Sequence, residues 1–166
     1  CVFEQATDMG WYIEKVARGA FEGCEMSDVV ALMNHDTDDL LSRTTGRPDD
    51  LVLSITNEGL EYTFRAKNEC SKEVAENIAL GFIKGSSFAF RASGEAWDYD
   101  VVQADGSKKD VRTITKFEKL FDVSPVTFAA YPQTSVALRS RDISKPKQPT
   151  GQELKEKFKL EIKQSK

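Results

Sequence analysis

Gly85-Ser-Ser-Phe-Ala-Phe90, Trp97-Asp-Tyr-Asp-Val-Val102, Asp105-Gly106 and Val111-Arg-Thr-Ile-Thr-Lys-Phe117 follow one another in the middle of the chain. Aromatic and β-branched residues fit a pleated, half-buried surface, and Asp-Gly accepts the positive φ of a tight reversal. The stretch predicts a strand, a further strand, a turn and a returning strand. Working outward, Leu51, Leu53 and Ile55 alternate with residues of the other face, Asn57-Glu58-Gly59 supplies a turn, and Leu60, Tyr62, Phe64 and Ala66 alternate again. That is a hairpin with one face on the core.

Asp28-Val-Val-Ala-Leu-Met-Asn-His35 is a nearly continuous apolar run whose β-branched start favours a buried strand, delivering Asn34 and His35 at its end. Glu14 to Phe21 reads as a short connection into a turn at Gly19. Ser71 to Leu80 pairs Val74 with Ile78 beside Ala75 and Ala79, with Ser71 as N-cap and Gly81 as stop, and forms the best internal helix. A further apolar stretch, Leu120 to Ala130, precedes Pro132. Many strands and few helices predict a mainly β protein with flanking helices, an α+β fold built on a closed antiparallel β-barrel, since closure removes exposed edges.

The bulk properties narrow the function. The 166 residues, 40% hydrophobic and 30% charged, suit one compact domain with its own core. No run nears the roughly 20 apolar residues that cross a bilayer, and the N-terminus lacks a secretory layout, so a soluble cytoplasmic protein with no membrane contact is expected. Cys1, Cys24 and Cys70 are widely spaced and odd in number, with a single histidine to assist them, so neither structural zinc nor disulfides are expected. The net charge of −4 gives nucleic-acid binding no support. From Arg141 onward, eight Lys or Arg face four Asp or Glu, leaving a tail of +4 and a body of −8.

The composition also sets domain limits: 1–141 as the folded domain, and 142–166 as a basic linker and tail helix. Lys145-Pro-Lys-Gln-Pro-Thr-Gly151 reads as linker, and Leu154, Phe158 and Ile162 fall at helical spacing, although Phe158, Leu160 and Ile162 also fit a strand. Cys1-Val-Phe3 opens without methionine, as if a strand began upstream.

Three residues stand out chemically. His35 leaves a buried strand for an acidic segment, Asp36-Thr-Asp-Asp39, which places an imidazole at the rim of a core where water and substrate meet it. Imidazole changes charge near neutral pH and suits a general base, although most lone histidines are surface or hydrogen-bonded structural residues. Asp36, Asp38 and Asp39 read as a solvated loop rather than a cation loop, for they lack the glycine and distal glutamate of a calcium site. Ser86 and Ser87 could be no more than small residues where a turn becomes a strand. Strand alternation nevertheless separates them: Ser86, Phe88 and Phe90 share one face, while Ser87 and Ala89 share the other. With the phenylalanines inward, Ser87 meets a surface that a peptide can approach. Asp122 is a carboxylate in an apolar run, where a histidine N–H would offset its burial.

Three separated segments resemble the tailed-phage prohead proteases, a family similar to the herpesvirus maturation protease, assemblin. They are Val30-Ala-Leu-Met-Asn-His-Asp36, Gly81-Phe-Ile-Lys-Gly-Ser-Ser-Phe-Ala-Phe90 and Phe121-Asp-Val-Ser-Pro-Val-Thr-Phe-Ala-Ala-Tyr-Pro132. Glu14 to Phe21 and Gly59-Leu60 match further family features, so the resemblance spans residues 1–141. Single motifs are weak, but their order and spacing together are specific. The resemblance implies a herpesvirus-protease-like barrel and a serine endopeptidase without cofactor or metal, with His35 as base, Ser87 as nucleophile and Asp122 as the third member. It also implies as partners the major capsid protein or its scaffolding segment and a second copy of the chain, with autocleavage, inside proheads assembling in the host cytoplasm. A non-catalytic capsid assembly factor is the competing expectation. The chain departs from the family at Ala129, where proline is common, at Ser42 and Ala89, where glycine is common, and at Asp122, where glutamate is more frequent. With a carboxylate one methylene shorter, either the backbone approaches His35 more closely or the third residue contributes less.

Overall fold

The computed structural model describes residues 1–48, 50–129 and 134–136. In order, the elements are β1 (Thr7–Asp8), β2 (Tyr12–Val16), β3 (Val30–Met33), β4 (Asp36–Arg43), β5 (Leu51–Ile55), β6 (Leu60–Phe64), α1 (Glu69–Ala79), β7 (Gly85–Val102) and β8 (Lys108–Val126). The two strands predicted before the Asp105-Gly106 turn are one continuous 18-residue strand, and the apolar stretch from Leu120 extends the returning strand to Val126. Glu14, read as part of a connection, lies instead in β2, where it is buried and accepts from Arg112 Nη1 at 2.8 Å.

β8 organises the sheet. β7 runs antiparallel along one side of it, while β2 and β3 pair with successive parts of the other side in parallel; β1 and β4 add antiparallel to β2 and β3. Along β8 Ile114, Phe117, Leu120 and Val123 are fully buried at a spacing of three rather than two, and Ser124 and Pro125 are fully buried beyond them. The β7–β8 register shifts repeatedly between Ala89 and Glu95, each extra residue turning the next side chain inward. Gly94 belongs to this irregular stretch, and a Cβ there would stand 2.8 Å from Thr115 Oγ1. Phe117 packs against Phe21 and Phe90 with ring centroids at 4.4 and 4.7 Å, joining the phenylalanines of β7 to the core as expected.

The expected closed barrel is not formed. The six-stranded sheet is open, and the predicted hairpin of β5 and β6 makes a separate two-stranded sheet. Side chains stand where a closing ladder would run. On the outer edge of β4, Asn68 Nδ2 donates to the Leu40 carbonyl at 2.9 Å. At the start of β7, Ser86 is met by the Tyr62 hydroxyl and by Thr134 rather than by a strand. Edges covered in this way need no closure.

The flanking helices reduce to α1 among the described residues. Its N-cap is Asn68 rather than Ser71: Asn68 Oδ1 accepts from Ser71 N, and Ser71 Oγ accepts from Asn68 N, a reciprocal capping box. Gly81 follows with φ 76° and ends the helix as expected. The predicted tail 142–166 lies outside the described residues.

Candidate active site

β3 and β4 are joined by a turn whose two central residues, Asn34 and His35, have φ of 53° and 62°, with Met33 in register with Asp36. Positive φ at both positions is the geometry that matches strand twist in a tight hairpin, and it ordinarily calls for Asn-Gly. Here histidine takes the glycine's place. Asp36, Asp38 and Asp39, expected in a loop, instead begin β4 and are exposed. Among the described residues no group of three or more His, Cys, Asp and Glu side chains could hold a metal ion.

The turn is pinned to the end of β8. Asn34 N donates to the Pro125 carbonyl at 3.0 Å, and Thr127 N donates to Asn34 Oδ1 at 2.9 Å. The imidazole thereby reaches the sheet, with His35 Nδ1 2.6 Å from Asp122 Oδ1. The His35 side chain is 36% exposed against 9% for Asp122, so the pair runs from solvent into the protein. Asp122 Oδ1 also accepts from Ser124 Oγ at 2.8 Å, and Ser124 Oγ is 3.4 Å from His35 Nδ1. With Nδ1 turned to the carboxylate, Nε2 is the ring atom left for chemistry, and it has no hydrogen-bond partner among the described residues.

Ser87 lies on the same sheet face. It is in register with Ser124, and its neighbour Ala89 is in register with Asp122; residues opposite one another in an antiparallel pair project to one side. Ser87 is half-buried, with no hydrogen bond from its hydroxyl among the described residues. Ser86 and Phe88 are buried on the other face, as alternation requires. Ser86 Oγ is 3.1 Å from Tyr62 Oη. The structure thus joins His35 directly to Asp122 and sets Ser87 beside them on the sheet, without a hydrogen bond between His35 and Ser87.

Two contributors escaped the sequence reading. Ser124 is fully buried and donates to the carboxylate; its only signal was its position two residues beyond Asp122. Asn34 fixes the turn, and an asparagine before the histidine, a residue type that tolerates the left-handed region, was the available sign.

Burial pushes the Tyr62 phenol up to about 12, with the hydrogen bond to Ser86 acting in the opposite direction. Because the folded-state value lies above the unfolded one, this stabilisation is complete below pH 10 and is lost as pH rises towards 12. Denaturant unfolding across that range is expected to show an alkaline loss of roughly 1–3 kcal/mol that Tyr62→Phe removes.

What the site can do follows from its parts: a hydroxyl on a strand, an imidazole with Nε2 unengaged, and a buried carboxylate holding Nδ1. No curated protein and no solved structure matches the chain. The family model described as caudovirus prohead serine protease matches residues 1–149, which takes in all three of these side chains, and the chain belongs to that family.

Proposed function

We propose that this protein is a serine endopeptidase that cleaves capsid protein or its scaffolding segment, and itself, during prohead maturation, with Ser87 as nucleophile, His35 as base and Asp122 as its orienting partner. Family membership supports the reaction class. The observation that carries the residue roles is the 2.6 Å contact of His35 Nδ1 with a buried carboxylate on the face that also bears Ser87.

In this mechanism Asp122 keeps the Nδ1 proton in place and His35 Nε2 accepts the proton of Ser87 as Oγ bonds to the scissile carbonyl carbon. The protonated imidazole then delivers that proton to the leaving amine as the peptide bond breaks. Water attacks the acyl-enzyme, Nε2 takes the water's proton, and collapse returns it to Ser87 Oγ with release of the acid. General-base assistance of this kind contributes roughly 10²- to 10⁴-fold. Catalytic hydrogen bonds often tighten only once substrate is bound, which accommodates a Ser87 hydroxyl not yet engaged by the ring.

The test is coexpression of the chain, and of its Ser87→Ala variant, with the major capsid protein of the same phage. Shortened capsid protein is expected with the former alone. Cleavage that persists with Ser87→Ala contradicts the nucleophile; intact capsid protein with both favours the assembly-factor alternative.

A further inference from the structure

The residue before the candidate nucleophile is gripped by side chains from two other parts of the chain. Ser86 N donates to Thr134 Oγ1 at 3.3 Å, and the Thr134 hydroxyl donates to the Ser86 carbonyl. One residue pair further along, Val136 N donates to the Lys84 carbonyl at 3.1 Å. The segment 134–136 thus lies along the edge of β7 away from β8, and one threonine hydroxyl satisfies both backbone groups that a neighbouring strand would have engaged. From the hairpin of β5 and β6, Tyr62 Oη reaches Ser86 Oγ at 3.1 Å.

The grip bears on Ser87 through a single rigid unit. The Ser86 carbonyl belongs to the planar peptide group that ends at Ser87 N, so fixing that oxygen fixes the plane from which the Ser87 side chain projects. Its other side faces β8, in register at Ser124. A cavity of about 310 Å³ borders Tyr62, Ser86, Thr134 and Val136. On the edge away from β8, Thr134 holds the Ser86 backbone and Tyr62 holds its hydroxyl.

We infer that Thr134 and Tyr62 are positioning residues for the Ser87 nucleophile, acting through the Ser86 backbone and hydroxyl without touching substrate. The inference rests on Ser87 being the nucleophile. Reaction needs the attacking atom in near-attack geometry, and a misplacement of about 1 Å can cost on the order of 10²-fold. A loosened peptide plane therefore slows attack more than it lowers stability.

The experiment measures the rate of Ser87 modification by a fluorophosphonate on the full chain, beside thermal unfolding, for wild type, Thr134→Val, Thr134→Ser and Tyr62→Phe. Thr134→Val keeps the shape and removes the hydroxyl. It is expected to react about tenfold more slowly, with Tyr62→Phe slowed to a smaller degree and Thr134→Ser restored to within about twofold of wild type. The pH midpoint of the reaction should stay unchanged in all of them, since the base is untouched. Wild-type rates in both Thr134→Val and Tyr62→Phe would overturn the inference, as would a Thr134→Ser variant as slow as Thr134→Val. Should Thr134→Val not fold, Thr134→Ser and Tyr62→Phe still decide: a Tyr62→Phe rate equal to wild type overturns the shared role. If wild type is modified elsewhere than at Ser87, the nucleophile assignment fails first, and the adduct position separates that outcome from failure of the positioning role alone.

Discussion

Ser87→Ala is expected to lower kcat for capsid-protein cleavage by roughly 10⁶-fold, as loss of the nucleophile does in a functioning triad. His35→Ala should cost a similar factor, and the double variant little more, because nucleophile and base act as one unit. Ser86→Ala supplies the contrast. Its hydroxyl lies on the opposite face against Tyr62, so Ser86→Ala should lose no more than the modest, less than about tenfold, slowing expected of Tyr62→Phe. The rate of appearance of shortened capsid protein reads all four variants. Additive losses from Ser87 and His35 would contradict a shared step.

Asp122→Asn should lower kcat by roughly 10⁴-fold while leaving the fold intact. The carboxylate accepts from both His35 Nδ1 and Ser124 Oγ. An amide that turns its NH₂ to Nδ1 forces the ring proton onto Nε2, where the base must accept one. Asp122→Glu keeps the charge but is one methylene longer, and it is expected to fall between wild type and Asp122→Asn. Near-UV circular dichroism and thermal unfolding of the variants, beside the cleavage rate, distinguish a lost tautomer from a lost fold. Unimpaired cleavage by Asp122→Asn would remove the carboxylate from the mechanism.

The site was legible where chemistry is written in residue type and alternation. The alternation of Ser86, Ser87 and Phe88 assigns the serine faces, and Phe88 and Ser86 are indeed buried together. The reach of Asp122 was not legible, because it depends on a two-residue turn disguised by histidine at the position where glycine usually stands. Strict alternation along β8 would put Leu120, Asp122 and Ser124 on one face. The register shift between Ala89 and Phe90 instead leaves Leu120 and Val123 inward and carries Asp122 and Ser124 to the side of Ser87. Bulges leave little trace in composition, and here they decide which residues share the face of the candidate site.

The barrel failed for a related reason. Counting strands and invoking edge protection argued for closure, but an edge can also be satisfied by side chains. Asn68 does this on β4, and Thr134 does it on β7 from far along the chain. Such contacts join residues with no periodic relation, so no pattern in the sequence announces them. The hairpin of β5 and β6 and helix α1 emerged because local alternation, turn chemistry and capping agree over short spans.

The measurement that tests the catalytic assignment most directly is peptide mapping by mass spectrometry after fluorophosphonate treatment of the full chain and of its His35→Ala variant. A single adduct on Ser87, lost in His35→Ala, is the predicted result. An adduct on Ser86 or Ser124, or modification of Ser87 that proceeds equally without His35, would contradict it.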